Sequence, residues 1–597
     1  MKCRVKFLVK TYLWTVLVFV LAKVAFVLFC RNGHEVTFND MTQVISHGIT
    51  LDLSTALYFL IIPFLLCIVN IWYWTKWLSK LLRSYFLLIS LAFALAFVAD
   101  TSLYPFWDYK LDSSCLQYLE TPNEMVASVS VLYIIIRIVA FAITAIVIFG
   151  GYRHLTPASH RTTALPKYVS LILYIIAIPF IVIGIRGGLD ESTTNTGQVY
   201  YSQNQFLNHS AVNPVFNFLA SFEGTVSDIV EYSFFNDTEC KKLLEGCYSQ
   251  ESAITDSLLN TERPNVVIIL MESASEVFAE AMPRLNQLKR EGINFSNCYG
   301  NTYRTDRGTV CTLSGYPSFP TMSVMKMPTK AANMPSIAKS LKGLGYATSY
   351  LYGGDINFTD MRSYLISTGW EKLYWKADYT QKEQGTAKWG VRDDITFETL
   401  YNQICSTDTT ARFLMGYSTL SSHEPWDVPI KKFEDEKMNA FYYLDQCIGN
   451  FIDKLKGTPY WKDLLIILTP DHGINYNDID ETRQVRNHIP MLWIGGAVKK
   501  ATEVKQLCNQ TDLAATLLGQ MGISHSEFTF SRDVLSSSYT KPYAYHCYNN
   551  GFSVVDSSGF TVFDLNSMKT IVGNHGNAVN LGKAILQTTS KDLKERK

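Results

Sequence analysis

Residues 301–317 read NTYRTDRGTVCTLSGYP and lie between two short apolar segments. The first segment is NVVIILME at 265–272, and the second is LLIILTP at 464–470, followed directly by Asp471 and His472. Short runs of valine, isoleucine and leucine are typical of strands buried on both faces of a parallel sheet. The three segments therefore predict a site at one edge of an α/β sheet, where ligands bind outside the carboxyl ends of the strands.

Four side chains are expected to meet at that edge. Glu272 ends the first segment, Asp471 and His472 follow the second, and Thr305 lies between them in the chain. Two carboxylates and one imidazole form a donor set that suits Mn²⁺ or Zn²⁺ better than Mg²⁺. Taken separately, the Asp-His pair could be a loop bonded to its own backbone, and Glu272 an acid stabilised by a helix dipole. Together they predict a divalent metal site.

Thr305 precedes a candidate helix at 308–313. One interpretation is that Thr305 is a helix N-cap. The other is that it is a nucleophile, because a helix N-terminus favours anions and a coordinated metal lowers the pKa of a hydroxyl group. The two interpretations are compatible.

From residue 264 the chain alternates strand-like and helical segments, which predicts a mostly parallel, doubly wound sheet. The candidate strands are 265–272, 347–353, 412–419, 464–470 and 489–494. The candidate helices are 282–291, 334–344, 394–405 and 437–455. After Tyr543, short strands with glycine turns predict a small C-terminal β subdomain, and a charged tail at 591–597 is expected to fray.

The first 190 residues contain five apolar runs of about the length that crosses a bilayer, roughly 20 residues. They are 8–29, 53–74, 84–99 (the shortest), 126–150 and 168–185. A cleaved signal peptide is disfavoured for the first run, which is too long and is followed by four more. Lys23 and Arg137 lie inside predicted spans, where a charge marks a functional site, snorkels to the interface or pairs with a neighbouring span.

Basic residues in alternate short loops predict that the N-terminus is cytoplasmic. The N-terminus carries Lys2, Arg4, Lys6 and Lys10, the second and fourth loops are also basic (the fourth includes Arg161), and the third loop, 100–125, is acidic. Five spans then place the residues after 185 outside the cytoplasmic membrane. The expected organisation is a five-helix transmembrane domain at 1–186, a connector at 187–262 with a candidate interfacial helix at 212–222, an extracytoplasmic α/β catalytic domain at 263–540, and a β subdomain with a tail at 541–597.

Composition excludes one class of partner. The net charge is zero and 18% of residues are charged, whereas a nucleic-acid-binding protein needs a basic surface. Of the twelve cysteines, Cys240 and Cys247 bracket a short segment. They form either an extracytoplasmic disulfide or two free thiols.

Six segments, in this order, resemble the lipoteichoic acid synthase (phosphoglycerol transferase) group of the sulfatase and alkaline phosphatase superfamily. They are NVVIILMES, YRTDRGTVCTLSGYP, GGDINFTDMR, SSHEPW, TPDHG and HIPMLWIGG. Five spans before an external catalytic domain resemble the same group. The resemblance implies a sulfatase-like α/β fold with one divalent metal, commonly Mn²⁺, and implies the following metal ligands: Glu272, Thr305, Asp471 and His472.

The resemblance also implies roles for three further positions. Thr305 corresponds to the nucleophile, Arg362 to an arginine that holds the substrate phosphate, and His423 to a histidine near the phosphate or leaving oxygen. From the residues alone, Arg362 could instead pair with Asp360, and His423 could be a structural loop histidine. A tryptophan that the synthases carry two residues before the arginine is Asp360 here, which argues against transferring the synthase's substrate directly. Four further residues could either take part in the site or have ordinary structural roles, as packed or solvent-exposed side chains: Arg304, Arg307, Trp426 and His488.

The implied activity is transfer of a phosphoglycerol-type headgroup from a phospholipid such as phosphatidylglycerol to an acceptor hydroxyl on a glycolipid, glycan or polymer of a bacterial cell envelope, through a phospho-threonine intermediate. The alternatives are a phosphoethanolamine transferase that uses phosphatidylethanolamine, a sulfatase-like phosphodiesterase or hydrolase, and a non-catalytic membrane scaffold. A true sulfatase is disfavoured because Thr-Leu-Ser-Gly follows Cys311, so the C/S-x-P-x-R motif that matures to formylglycine is absent.

Overall fold

The computed structural model divides the chain into two compact units, Met1–Asp228 and Ile229–Lys597. The described residues are 2–31, 35–72, 76–107, 109–113, 115–116, 130–156, 166–223, 229–248, 255–573 and 576–596. Parts of four expectations lie outside them: residues 73–74 and 126–129 of two predicted spans, 117–125 of the acidic loop, and Arg161.

The first unit contains, in its described part, five helices long and apolar enough to cross a membrane. They are Lys2–Cys30, Phe38–Val69, Lys76–Trp107, Val131–Leu155 and Lys167–Arg186. The prediction that the third span is the shortest was wrong, since its apolar stretch covers 29 residues, Trp77–Pro105. Charged residues at both ends, Lys80 and Arg83 on one side and Asp100 on the other, made the apolar run look shorter than the helix that contains it.

Two buried ion pairs lie within the first unit. Lys23 pairs with Asp52 of the neighbouring long helix, and Lys110 pairs with Asp100. The Asn213 side chain also donates to Asp52 Oδ1 at 2.8 Å. Lys23 therefore follows the pairing interpretation, because a buried charge is tolerated when an opposite charge and hydrogen bonds compensate it.

Residues 187–262 are divided between the two units. Short helical segments in the first unit are Thr196–Val199, Gln205–Ala211, Pro214–Ala220 and Ser221–Glu223. Val215 packs into the apolar core of the long helices, so this part of the expected interfacial helix is a packing element. In the second unit, the helix Asp237–Leu244 packs against the C-terminal helix, and Cys240 and Cys247 are buried free thiols.

The second unit is built on a mixed sheet with the order β4-β3-β5-β1-β6-β7-β2-β8, in which β9 also pairs with β2. Its strands are β1 (Asn265–Met271), β2 (Ile293–Tyr299), β3 (Ala347–Tyr352), β4 (Lys372–Trp375), β5 (Phe413–Ser418), β6 (Leu464–Pro470), β7 (His488–Ile494), β8 (Thr502–Val504) and β9 (Cys508–Asn509). Pairing is parallel except that β7 runs antiparallel to both β6 and β2. The four strands that the sequence did not predict are β2, β4, β8 and β9, which are short or carry polar residues.

Helices cover the sheet. They are Pro283–Leu288, Thr305–Ser314, Pro328–Ala332, Ile337–Lys342, Met361–Ser367, Gln381–Gln384, Asp393–Ser406, Glu436–Lys456 and Leu513–Gln520, with 3₁₀ turns at Glu276–Ala281, Val324–Lys326, Phe358–Asp360, Lys376–Asp378, Pro459–Asp463, Gln484–Asn487 and Gln510–Asp512. The main core lies between the sheet and the helices Glu436–Lys456 and Asp393–Ser406, and every residue of β1, β5 and β6 is buried. Burial on both faces explains the continuous apolar runs that made these strands predictable.

The C-terminal part forms a second, antiparallel sheet, with the strands β10 (Ala544–Tyr548), β11 (Gly551–Asp556), β12 (Gly559–Asp564) and β13 (Lys569–Val572). A helix that the sequence did not predict, Gly576–Glu595, packs on β11 and β12. The expected frayed tail was wrong for residues 591–595, since Lys591 Nζ lies 2.7 Å from Asp237 Oδ2 and Leu593 is fully buried.

Candidate metal centre and nucleophile

Three potential metal ligands lie together at the carboxyl edge of the sheet. Glu272 follows β1, and Asp471 and His472 follow β6, which pairs in parallel with β1 so that Met271 is opposite Pro470. One ligand atom from each of Glu272, Asp471 and His472 lies within 4.8 Å of the other two, and all three residues are buried. The parallel register brings residues 200 positions apart in the chain into one crevice.

The orientation of these side chains fits a bound cation. His472 Nδ1 lies 3.0 Å from the Gly473 carbonyl oxygen, an acceptor, so Nδ1 carries the proton and Nε2 presents a lone pair. Nε2 faces Glu272 Oε1 at 3.5 Å and Asp471 Oδ2 at 3.6 Å. Asp471 Oδ1 accepts from the Ser273 and His472 backbone N–H groups, whereas Oδ2 is buried with no hydrogen-bond partner in the described part of the chain. Electron-rich atoms this close together repel one another unless a cation lies between them, and this donor set suits Mn²⁺ or Zn²⁺.

The raised pKa of Glu272 also indicates a bound cation. Burial, together with the neighbouring Asp471 carboxylate, raises the pKa of Glu272 to about 8. The nearby His472 imidazole and the Ser273 hydroxyl, whose Oγ lies 2.7 Å from Oε1, act in the opposite direction but do not outweigh burial. A bound cation would therefore be needed to keep the Glu272 carboxylate ionised at neutral pH.

Thr305 lies beside two of these three ligands. Its Oγ1 is 3.3 Å from Glu272 Oε2 and 3.4 Å from His472 Nε2. Thr305 is the first residue of the helix Thr305–Ser314, so its hydroxyl lies at the positive end of the helix dipole. The arrangement can stabilise an alkoxide on Thr305 and an anionic group bound next to it.

Two residues that the sequence did not single out hold the helix Thr305–Ser314 against Asp471. A Cβ on Gly308 would lie 2.0 Å from the Asp471 carbonyl oxygen, so only glycine allows this approach. The buried Gln510 side chain donates to the Asp471 carbonyl oxygen at 2.7 Å and to Thr312 Oγ1 at 2.9 Å. Neither residue type signals such a role in sequence, because the contacts are made across long chain separations.

The loop after β5 carries His423 to the same edge. Ser422 Oγ donates to the Glu272 carbonyl oxygen at 2.7 Å. The fully buried Asp393 carboxylate accepts from the backbone N–H groups of Leu420 and Ser421 at 2.8 and 3.1 Å and so holds the loop in place. His423 itself is half-buried, and its Nδ1 lies 2.8 Å from the Glu424 carbonyl oxygen, which leaves Nε2 without a proton in the neutral ring.

Arg362 lies after β3, two strands from Glu272 in the sheet order. Its Nε donates to Asn357 Oδ1 at 2.8 Å, and its guanidinium group lies over the Trp375 ring, 5.2 Å from the ring centre. A tryptophan from a different segment, Trp375, therefore lies beside Arg362, while position 360 is an aspartate. Asp360 is in a left-handed conformation with φ of 61°, and no ion pair between Asp360 and Arg362 is present among the described residues.

The remaining candidates have structural partners. Arg307 donates to the Tyr303 hydroxyl and to the carbonyl oxygens of Phe319 and Pro320. His488 Nε2 lies 3.0 Å from the Ser296 carbonyl oxygen, and the Trp426 ring packs under the Lys437 ammonium group at 4.6 Å. Arg304 is exposed. A residue that the sequence did not suggest is Tyr352, at the end of β3, where burial and then the Glu272 and Asp471 carboxylates raise the pKa of its hydroxyl group.

Comparisons with known proteins agree with this geometry. Residues 264–523 match the model of the Sulfatase family. The match begins directly before β1 and includes Glu272, Thr305, Asp471 and His472. It covers the α/β part of the second unit and does not include the apolar helices.

Two curated relatives have the same name. Phosphoglycerol transferase I of Escherichia coli O6:K15:H31 (strain 536 / UPEC) is 27% identical over 288 residues, which are 43% of this chain and 37% of that protein. Phosphoglycerol transferase I of Xanthomonas campestris pv. campestris (strain B100) is 24% identical over 306 residues, 46% of this chain and 43% of that protein. The chain thus spans well under half the length of the curated relatives it matches.

The fold is similar to that of a solved structure. It is a protein of the alkaline phosphatase superfamily from Vibrio parahaemolyticus, which is 25% identical with a TM-score of 0.52. The similarity covers 61% of this chain and 97% of that one.

Proposed function

Because residues 264–523 form a domain of the sulfatase family, we propose that this chain is a membrane-anchored, metal-dependent phosphotransferase. It moves a phosphoglycerol-type headgroup from a membrane phospholipid to an acceptor hydroxyl group. The observation that carries the proposal is the position of the Thr305 hydroxyl, 3.3 Å from Glu272 and 3.4 Å from His472. The two curated relatives are named phosphoglycerol transferase I, which supports phosphoglycerol as the group transferred.

The chemistry proceeds in two displacements. Thr305 Oγ attacks the lipid phosphorus, the bond from phosphorus to the diacylglycerol oxygen breaks, and diacylglycerol leaves with a proton. The glycerophosphate group remains on Thr305 as a phosphodiester. An acceptor hydroxyl then attacks the same phosphorus, and the bond to Thr305 breaks. Each step needs positive charge around the phosphoryl oxygens more than it needs acid–base chemistry.

Protein groups supply part of that charge. Arg362 is oriented by Asn357 and by the Trp375 ring and would neutralise one phosphoryl oxygen. His423 Nε2 can take up the acceptor proton or, when protonated, give it to the leaving oxygen. Glu272, Thr305, Asp471 and His472 would hold one divalent cation, Mn²⁺ in our proposal. When bound, the cation would stabilise the threonine alkoxide and the transferring phosphoryl group.

The proposed topology follows the charge of the loops. Basic residues at the N-terminal end of the first helix, such as Lys6 and Lys10, support a cytoplasmic N-terminus. The second unit then faces the extracytoplasmic side of the cytoplasmic membrane. The five spans would keep the catalytic unit close to its lipid donor, with a glycolipid, glycan or polymer as the acceptor.

The test is intact-mass analysis of the full-length protein in mixed micelles with Mn²⁺ and phosphatidylglycerol. We expect a glycerophosphate adduct on the wild type, none on Thr305→Ala, and a retained adduct on Thr305→Ser, which keeps a hydroxyl group. A parallel incubation with phosphatidylethanolamine tests the donor, since an adduct from that lipid alone would replace phosphoglycerol by phosphoethanolamine. A folded, Mn²⁺-loaded protein that forms no adduct with either lipid would contradict the proposal.

A further inference from the structure

Arg137 is a charged residue on the lipid-facing part of the first unit. It lies on the helix Val131–Leu155 between apolar residues that are more than half exposed, Ile135, Ile136 and Ile138. It is six residues from the start of that helix, or about 9 Å along the axis at 1.5 Å per residue. Its guanidinium group therefore belongs near the interface of one leaflet, which a long arginine side chain can reach.

A backbone carbonyl group anchors the Arg137 side chain. In an α-helix the carbonyl oxygen of Thr101 would accept from the N–H of residue 105, but residue 105 is a proline and has no N–H. Arg137 Nη2 instead donates to that oxygen at 3.5 Å, and the Cys30 thiol approaches it at 3.7 Å. The Arg137 Nε is buried and has no hydrogen-bond partner among the described residues, and the guanidinium group lies over the Tyr133 ring, 4.8 Å from its centre. The contacts of this charge in that part of the chain are therefore with neutral groups.

Two acidic side chains of the first unit, Asp100 and Asp52, form ion pairs with lysines. The Asp100 carboxylate, next to Thr101, pairs with Lys110 and accepts from the Leu111 backbone N–H at 3.0 Å. The Asp52 carboxylate pairs with Lys23. Among the residues that the structure describes, no carboxylate forms an ion pair with Arg137. Within that part of the chain, the positive charge of Arg137 therefore has no opposite charge beside it.

We propose that Arg137 is a binding site for the phosphodiester group of an anionic phospholipid. An uncompensated charge at this depth requires a counter-ion, and the anion present at the membrane interface is the lipid phosphate. The guanidinium group matches phosphate geometry better than an ammonium group would. The helix Lys2–Cys30 ends at Cys30, next to the Thr101 carbonyl oxygen, and Thr101 lies within the last two turns of the helix Lys76–Trp107. The site therefore lies in the leaflet at that end of the bundle.

The experiment compares lipid retention in full-length variants in detergent by native mass spectrometry, with phosphatidylglycerol as the added lipid. Arg137→Gln should reduce the bound phosphatidylglycerol about fivefold, the effect of one arginine near a membrane surface. Arg153→Gln is the matched control, because Arg153 is exposed on the last turn of the same helix, and it should bind lipid like the wild type. Adding inorganic phosphate in excess should not displace the lipid.

Three results would overturn the proposal. The first is unchanged phosphatidylglycerol retention in a folded Arg137→Gln protein, and the second is displacement of the lipid by inorganic phosphate. The third is dissociation of an oligomer by Arg137→Gln without loss of lipid, because a second copy of the chain would then supply the counter-ion. If Arg137→Gln does not fold, a photoactivatable phosphatidylglycerol analogue on the wild type decides the question. Labelling on the peptides that contain Tyr133–Arg137 or Thr101 supports the site, and labelling confined to other peptides refutes it.

Discussion

Replacing Gly308 by alanine should separate the effect of geometry on the reaction from its effect on stability. The new Cβ would lie 2.0 Å from the Asp471 carbonyl oxygen and 2.6 Å from its carbonyl carbon. Both are backbone atoms and cannot rotate away. Since such contacts essentially never fall below 3.0 Å, the start of the helix and the Asp471 segment must separate by about 1 Å. Thr305 and Asp471, a residue of the candidate metal centre, lie on the two sides of that gap.

The magnitudes differ for stability and for chemistry. Overpacking of this kind costs about 1–3 kcal/mol, and the higher helix propensity of alanine returns up to about 1 kcal/mol. The free energy of unfolding should therefore fall by no more than about 3 kcal/mol, and the protein should stay folded. A 1 Å misplacement of a reacting group can lower a rate about 100-fold, so adduct formation on Thr305 should fall about 100-fold in the folded protein.

Three measurements on the full-length protein test this reasoning: the rate of glycerophosphate adduct formation by intact mass, the Mn²⁺ affinity by calorimetry, and the thermal unfolding midpoint. Gly343→Ala is the matched control, because it lies at a helix end where the nearest atom to a new Cβ is 3.4 Å away. The control should resemble the wild type in all three. A Gly308→Ala protein with wild-type adduct formation and Mn²⁺ affinity would show that the contact between the helix and Asp471 does not set the position of Thr305.

Three further predictions concern stability and its dependence on pH. Gln510→Leu removes the donor to the Asp471 carbonyl oxygen. This substitution should lower the free energy of unfolding by about 1–3 kcal/mol and weaken Mn²⁺ binding in a calorimetric titration. Unchanged values of both would show that Gln510 does not hold the Asp471 segment in place. Arg532→Met leaves the buried Asp512 carboxylate unpaired and should cost about 3–5 kcal/mol in denaturant unfolding, with part of the loss recovered when Asp512→Asn is added. Burial and then Lys110 lower the pKa of His209 to about 3. The unfolded histidine takes up a proton below its ordinary pKa of about 6.5, whereas His209 in the folded protein does so only near pH 3. The contribution of His209 to the free energy of unfolding is therefore fully present above about pH 6.5 and is lost progressively as the pH falls toward 3. Between pH 7.5 and 5.5 the free energy of unfolding should fall by about 1.4 kcal/mol. His209→Gln should flatten that part of the pH profile of thermal unfolding, and an unaltered slope would contradict the assignment.

The elements that could be predicted are those whose burial is nearly uniform. Strands β1, β5 and β6 are buried on both faces, so their sequences are continuous apolar runs that a reader can recognise. Strand β2, INFSNCY, alternates buried and partly buried positions and has no such run. The C-terminal helix Gly576–Glu595 was missed for a related reason, because it buries small and polar residues such as Ala584, Thr589 and Ser590.

The sequence alone determined the α/β class of the second unit, the five apolar helices and the grouping of Glu272, Asp471 and His472 at strand ends. These features depend on local patterns, namely the length of apolar runs and the position of polar residues directly after them. Only the tertiary structure decided what surrounds them: the Gly308 approach to Asp471, the Gln510 hydrogen bonds, the Trp375 ring under Arg362, and the uncompensated charge of Arg137. These contacts join residues separated by tens to hundreds of positions, and no local pattern records which distant side chain will fill a given space.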